Sequence, residues 1–143
     1  MTVSDQEVTF IARVLLVDDD RMICRLYAKA LRAEDFIVTE CYAAEEALDR
    51  LLKGEIFDLL ITDIMMAKMD GWELLDTVRK GLRLDALALP VIIISAFESS
   101  ELEEKAFLRG ASGCLIKPVV PLSKLINLAK IHTGRVRSKY HAT

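Results

Sequence analysis

The chain has 143 residues, 52% hydrophobic and 29% charged, with only 6 Gly and 3 Pro. That length fits one compact domain, and the composition excludes a disordered, collagen-like or linker-dominated chain. With 22 acids against 19 Lys and Arg, the net charge is −3, so the global basic footprint of a nucleic-acid binder is absent.

Residues 1–12 carry two acids and no Lys or Arg. They read as an N-terminal arm and lack the basic start of a secretory signal. The most apolar window, Ala86 to Ala96, contains Pro90 and Ser95. It falls well short of the ~20 residues that a membrane-spanning helix needs. Cys24, Cys41 and Cys114 are far apart and form no C-x-x-C pair. They read as reduced, mostly buried thiols of a cytoplasmic protein rather than a disulfide or zinc framework.

Val14–Val17 opens the pattern as a short continuous apolar run, the signature of a strand covered on both faces. Asp20 then suits the N-cap of a helix whose apolar face is Met22, Ile23, Leu26, Tyr27, Ala30 and Leu31. Phe36–Glu40 is β-branched and more alternating, as expected near a sheet edge. A second helical face follows in Ala44, Ala47, Leu48, Leu51 and Leu52, closed by Gly54. The second continuous run is Leu59–Thr62. Asp70 and Glu73 have capping-box spacing ahead of a helix with Trp72, Leu74, Leu75 and Val78, ending near Gly81. The third run is Val91–Ile94, and Ser100 with Glu103 offers another capping box before Leu102, Ala106 and Phe107. After Gly110 comes the fourth run, Cys114–Ile116. Pro121 suits the first turn of a last helix with Leu122, Leu125, Ile126, Leu128 and Ala129, closed by Gly134. Strand and helix alternate five times, which predicts parallel βα units in a three-layer α/β sandwich.

Four strands deliver a polar residue at their carboxyl ends: Asp18, Asp19 and Asp20 after the first, Asp63, Ser95, and Lys117 before Pro118. Ligands bind at that edge of an open parallel sheet. Converging carboxylates repel one another and resist desolvation, and a divalent cation resolves this. An all-oxygen donor set selects a hard ion such as Mg²⁺. A cation, an ammonium and a hydroxyl are what a transferring phosphoryl group requires, and an aspartate can act as its nucleophile.

The stretches VLLVDDD at 14–20, DLLITDIMMAKMDGWEL at 58–74, VIIISAF at 91–97 and GASGCLIKP at 110–118 resemble the receiver domain of two-component response regulators. The resemblance covers residues 13–133, leaving 134–143 as a basic tail or linker stub. It implies a flavodoxin-like, doubly wound fold with a five-stranded parallel sheet in the order 2-1-3-4-5 and five helices. It also implies that Asp63 is the phosphoacceptor and that Asp18, Asp19, Asp63 and the backbone carbonyl of Met65 hold Mg²⁺. Ser95 and Lys117 take the phosphoryl-sensing and charge-neutralising roles. A histidine kinase or phosphotransfer protein is the implied donor, and a downstream protein or an output domain the implied recipient. Nucleic acid and membrane are not expected as direct partners.

The chain departs from the family pattern at several points. Ala67 stands where proline is usual, and Cys114 occupies the fifth-strand position commonly held by an aromatic switch residue. A thiol cannot sweep between rotamers as a ring does. Met65 and Phe97 flank the site with apolar side chains where the family tunes water attack, so slow autodephosphorylation is expected. Met66 and Met69 read as packing and Asp70 as a cap, while His132 and His141 receive no phosphorelay role. The 26 residues after Lys117 contain no acid. Their basic end is a solvated tail, a docking segment for an acidic partner or a linker stub. Two other readings stand beside the receiver. A haloacid-dehalogenase-type phosphohydrolase would use Asp18, Asp20, Ser95 and Lys117, but it needs an acid after the lysine and leaves Asp63 unexplained. A receiver-like scaffold would work without phosphorylation.

Overall fold

A computed structural model describes residues 11–96 and 99–134. Five strands, β1 (Arg13–Val17), β2 (Ile37–Cys41), β3 (Leu59–Asp63), β4 (Val91–Ser95) and β5 (Gly113–Ile116), form one parallel sheet in the order β2-β1-β3-β4-β5. Helices α1 (Arg21–Arg32), α2 (Ala44–Leu52), α3 (Gly71–Asp76), α4 (Leu102–Leu108) and α5 (Ser123–Thr133) connect and cover them. This is the expected three-layer, doubly wound arrangement. Residues 1–10 of the arm and 135–143 of the tail, with His141, lie outside the described residues.

The sheet divides two apolar clusters. On one side Val14, Leu16, Leu59, Ile61, Ile92 and Ile94 meet α1 and α5 through Cys24, Tyr27, Leu31, Leu125 and Ala129. On the other, Leu15, Val17, Leu60, Val91 and Ile93 meet α2, α3 and α4 through Ala47, Leu74, Leu75 and Ala106. Alternate residues of a strand point to opposite faces, so β1, β3 and β4 must be apolar at nearly every position. β5 departs from this expectation, being half-buried along its whole length because it forms a sheet edge. Burial pushes the Cys24 thiol up to about 12 and the Cys41 thiol up to about 11, which keeps both protonated inside the core.

Several helical faces differ from the sequence reading. In α1 the buried residues are Cys24, Tyr27, Ala28 and Leu31, whereas Met22 is 81% exposed and Leu26 is also exposed. Cys24, Tyr27, Ala28 and Leu31 form the i, i+3, i+4, i+7 stripe that meets the sheet, and Met22 and Leu26 fall on the opposite side of the helix. Leu52 and Phe107 are likewise exposed, each lying at the end of a short helix beyond reach of the core.

The caps at Asp20 and Asp70 form as expected. Asp20 accepts from the Met22 and Ile23 amides, and Asp70 and Glu73 complete a reciprocal box. The Ser100–Glu103 box does not form. The first residue of α4 is Leu102, and the side chain of Ser99 instead accepts from the Glu101 amide. Pro121 precedes the cap residue Leu122 rather than entering the first turn of α5. Gly54, Gly110 and Gly134 follow their helices at positive φ, as C-terminal glycines do. Gly81 instead ends a π-helical turn, Thr77–Gly81, that continues α3.

His132, in the last turn of α5, has its Nε2 about 3.3 Å from where a Cβ on Gly113 would lie. Burial holds its pKa below the usual histidine range. A lowered folded-state pKa means that protonation favours the unfolded chain. Stability contributed by neutral His132 is present above about pH 6.5 and falls away as the pH drops through that range. His132→Gln therefore flattens the decline in thermal midpoint between neutral and mildly acidic pH. Unchanged pH profiles in wild type and variant would show that this imidazole titrates as it does in the unfolded chain.

Candidate functional site

Parallel pairing in register brings the strand tips level. Val17 pairs with Thr62, Asp63 with Ile94, and Ser95 with Ile116. Asp18 follows β1 directly, Asp63 and Ser95 end β3 and β4, and Lys117 follows β5. The Lys117 amide donates to the Ser95 carbonyl at 2.7 Å, tying the last two tips together. Asp18, Asp63 and Ser95 are at most 5% exposed, which makes them rare polar groups in an apolar sheet.

One carboxylate oxygen from each of Asp18, Asp19 and Asp63 lies within 4.8 Å of the others. Asp18 and Asp63 are buried and Asp19 is exposed. Lys117 stands against the buried pair, its Nζ 2.8 Å from Asp18 Oδ2 and 3.1 Å from Asp63 Oδ2. Asp18 Oδ1 accepts the Asp20 amide at 2.9 Å, which fixes the carboxylate plane. Burial raises the Asp63 pKa and the charge of Asp18 raises it further, with Lys117 opposing both. For Lys117 burial acts to lower the pKa, but hydrogen bonds and charge from Asp18 and Asp63 outweigh it and the net shift is upward. An all-oxygen, doubly anionic cleft with one exposed wall suits a hard divalent cation.

Asp20 is absorbed by the N-terminus of α1, so the Asp18-x-Asp20 pairing of the phosphohydrolase reading is not the acidic cluster that forms. Met65 lies two residues beyond Asp63 and is 57% exposed, while Met66 and Met69 pack against the core. Phe97 lies outside the described residues. Cys114 is half-buried on β5 and lines a groove between α4 and β5 with Ala106, Phe107 and Ala111.

Two further residues, neither a site candidate from the sequence, pack against the Asp63 backbone. Thr62 is fully buried, and its hydroxyl donates to the Asp63 carbonyl at 2.9 Å. A lone hydroxyl within an apolar strand was the available signal. Gly71 begins α3 directly against the end of β3, where its amide donates to the Ile64 carbonyl at 2.8 Å. A Cβ there would collide with the Asp63 carbonyl oxygen and approach Ile64 Cα at 2.8 Å. Glycine is a poor helix residue, so finding it at the first helical position was the clue. Gly71→Ala must push two backbones apart, costing about 1–3 kcal/mol in the range of overpacked cores. Urea unfolding measures that loss; a variant as stable as wild type would mean that the α3 start yields freely.

Comparison with known proteins agrees with this geometry. A family model for the response regulator receiver domain matches residues 14–130. The chain belongs to the response regulator receiver family. It is 43% identical over 108 residues to the two-component response regulator ARR2 of Arabidopsis thaliana, covering 75% of this chain and 16% of that protein. ARR12 of the same plant is 37% identical over 129 residues, covering 90% of this chain and 20% of the relative. The chain thus spans about a fifth of the length of these curated relatives. Among solved structures, the receiver domain of the Francisella response regulator 1452 superposes with a TM-score of 0.77 at 29% identity, covering 88% of this chain and 99% of that one. The chemotaxis response regulator CheY4 of Vibrio cholerae gives 0.74 at 28% identity, over 85% and 99%.

Proposed function

We propose that residues 13–133 act as a phosphoryl-accepting receiver and that Asp63 is the acceptor. The observation that carries this is the buried Asp63 carboxylate held at one sheet edge with Asp18, Asp19 and Lys117. An Asp63 oxygen attacks the phosphorus of a phosphohistidine on a histidine kinase or phosphotransfer protein. The P–N bond breaks, its electron pair returns to the imidazole nitrogen, and an acyl phosphate forms on Asp63. Asp18, Asp19, Asp63 and the Met65 carbonyl would hold Mg²⁺, which supplies positive charge to the phosphoryl oxygens when bound. Lys117 neutralises a second flank, and Ser95 donates a hydrogen bond to the transferred group. The reaction modifies the protein itself and does not turn over a substrate.

Output passes through altered protein contacts, either to a separate target or to an output domain joined beyond residue 133 by the basic segment. The setting is cytoplasmic; among the described residues no helix is long and apolar enough to cross a membrane. Acetyl phosphate with Mg²⁺ adds one phosphoryl group to the wild-type chain, read by intact mass. A chain that gains no mass with this donor, and none from any phosphohistidine donor, would favour the phosphorylation-independent scaffold.

The acyl phosphate is expected to last minutes or longer. Met65 offers no hydrogen bond to orient an attacking water, and neither would the ring of Phe97. Loss of the phosphoryl mass within seconds in Mg²⁺ would show that water reaches the phosphorus despite these side chains.

A further inference from the structure

The stretch between β3 and α3 carries the Met65 carbonyl, and its backbone is held at few points. At its neck the Gly71 amide donates to the Ile64 carbonyl at 2.8 Å, and the Asp70 amide donates to Glu73 of α3. Between these, among the described residues, the backbone of 65–69 makes one hydrogen bond. The Met69 amide donates to Glu45 Oε2, 3.2 Å away on α2. The side chains of Met66 and Met69 pack against the core, whereas Met65, Ala67 and Lys68 are exposed. Lys68 sits at φ 63, a left-handed conformation disfavoured for any residue with a Cβ, and Ala67 ahead of it has no ring to fix its own φ. A loop of this make-up depends on contacts from outside itself.

Helix α2 places Glu45 to supply one. The first turn of α2 is set against the core by Ala44 and Ala47, both fully buried, while Glu45 and Glu46 between them are exposed. Glu46 reaches back to accept the Tyr42 amide and so serves the start of α2, where Ala43 provides no side-chain cap. Glu45 reaches instead across 24 positions of sequence to the loop. The two acids bring the same charge to the same helix end and differ in what they touch.

From this difference we infer that Glu45 is a positioning residue for the divalent-cation site: by accepting the Met69 amide it holds the loop in the arrangement that presents the Met65 carbonyl beside Asp63. The inference rests on the proposed Mg²⁺ set of Asp18, Asp19, Asp63 and the Met65 carbonyl. Glu45 needs no contact with the ion. It acts on the fraction of chains whose loop is already arranged for binding, and apparent affinity falls in proportion to that fraction.

The test uses the full chain with Mg²⁺ alone as the probe. Binding is read by calorimetric titration, and the Met69 amide is followed by hydrogen exchange in EDTA. Glu45→Ala is expected to bind Mg²⁺ about fivefold more weakly and to exchange the Met69 amide about fivefold faster, the scale of one exposed hydrogen bond. Alanine is a good helix former at this exposed position, so the variant should fold. Glu45→Gln loses the charge but keeps an acceptor oxygen, and should stay within about twofold of wild type in both readings. Glu46→Ala removes the same charge from the same turn and should bind Mg²⁺ as wild type does. Unchanged affinity in Glu45→Ala, or weaker binding with no change at the Met69 amide, overturns the inference. Equal weakening in Glu45→Gln or Glu46→Ala overturns it too, because the effect would then be charge near the cleft rather than loop position. A wild-type chain that binds no Mg²⁺ removes the cation site itself, and the inference falls with it. A chain that binds Mg²⁺ yet takes up no phosphoryl group from acetyl phosphate loses only its acceptor assignment, and the variants still decide the role of Glu45.

Discussion

Asp63→Asn takes up no phosphoryl group from acetyl phosphate under conditions in which the wild-type chain is fully modified, a loss of roughly a thousandfold or more. The substitution keeps the shape of the side chain and removes its nucleophilic oxygen anion. The fold should survive, because Lys117 still pairs with Asp18 at 2.8 Å and the amide is easier to bury than the charge it replaces. Asp20 and Asp70 cannot substitute as acceptors, since their carboxylates are engaged by the amides at the starts of α1 and α3. Intact-mass measurement on the folded variant decides the matter. Equal uptake by Asp63→Asn would move the acceptor to another carboxylate, Asp18 first.

The strand tips were legible because each polar residue interrupts or ends an apolar run that the sheet requires on both faces. Asp18, Asp63, Ser95 and Lys117 stand out for that reason, and in-register pairing then brings them together. What the sequence concealed depends on three-dimensional packing. In α1 two periodic stripes compete, and the one that meets the sheet runs through the small Cys24 and Ala28 with Tyr27 and Leu31, leaving the bulkier Met22 and Leu26 on the opposite side. The start of α4 was misplaced because Ser100 and Glu103 have the right spacing, yet Ser99 takes the turn one residue earlier. Half-burial of β5 follows from its edge position, which a continuous apolar run does not reveal. Gly71 lies within the stretch DLLITDIMMAKMDGWEL, but its role exists only where α3 meets the Asp63 carbonyl. Trp72 read as an apolar helix residue; its cationic neighbours, Lys105 and Arg109, come from α4, more than thirty positions away in the chain.

Lys117→Met is expected to act on stability first, and in a way that depends on divalent cation. The ammonium is mostly buried and contacts two carboxylates that are buried themselves. Removing it leaves like charges facing each other out of water, a loss of about 3–5 kcal/mol by analogy with broken buried ion pairs. A cation held by Asp18, Asp19 and Asp63 would answer the same repulsion, and any ligand that binds only the folded chain stabilises it, by about 2.7 kcal/mol at a hundredfold excess over Kd. Saturating Mg²⁺ should therefore raise the thermal midpoint of Lys117→Met more than that of wild type, narrowing the gap seen in EDTA. Phosphoryl uptake should still be slower by roughly ten- to hundredfold, because one neutralising group for the developing charge is gone. Lys117→Arg should recover stability only in part, since a planar guanidinium fork does not fit where a compact ammonium spans two oxygens. A gap between wild type and Lys117→Met that is the same in EDTA and in Mg²⁺ would mean that the metal and the ammonium answer different carboxylates, and the shared acidic cleft would have to be abandoned.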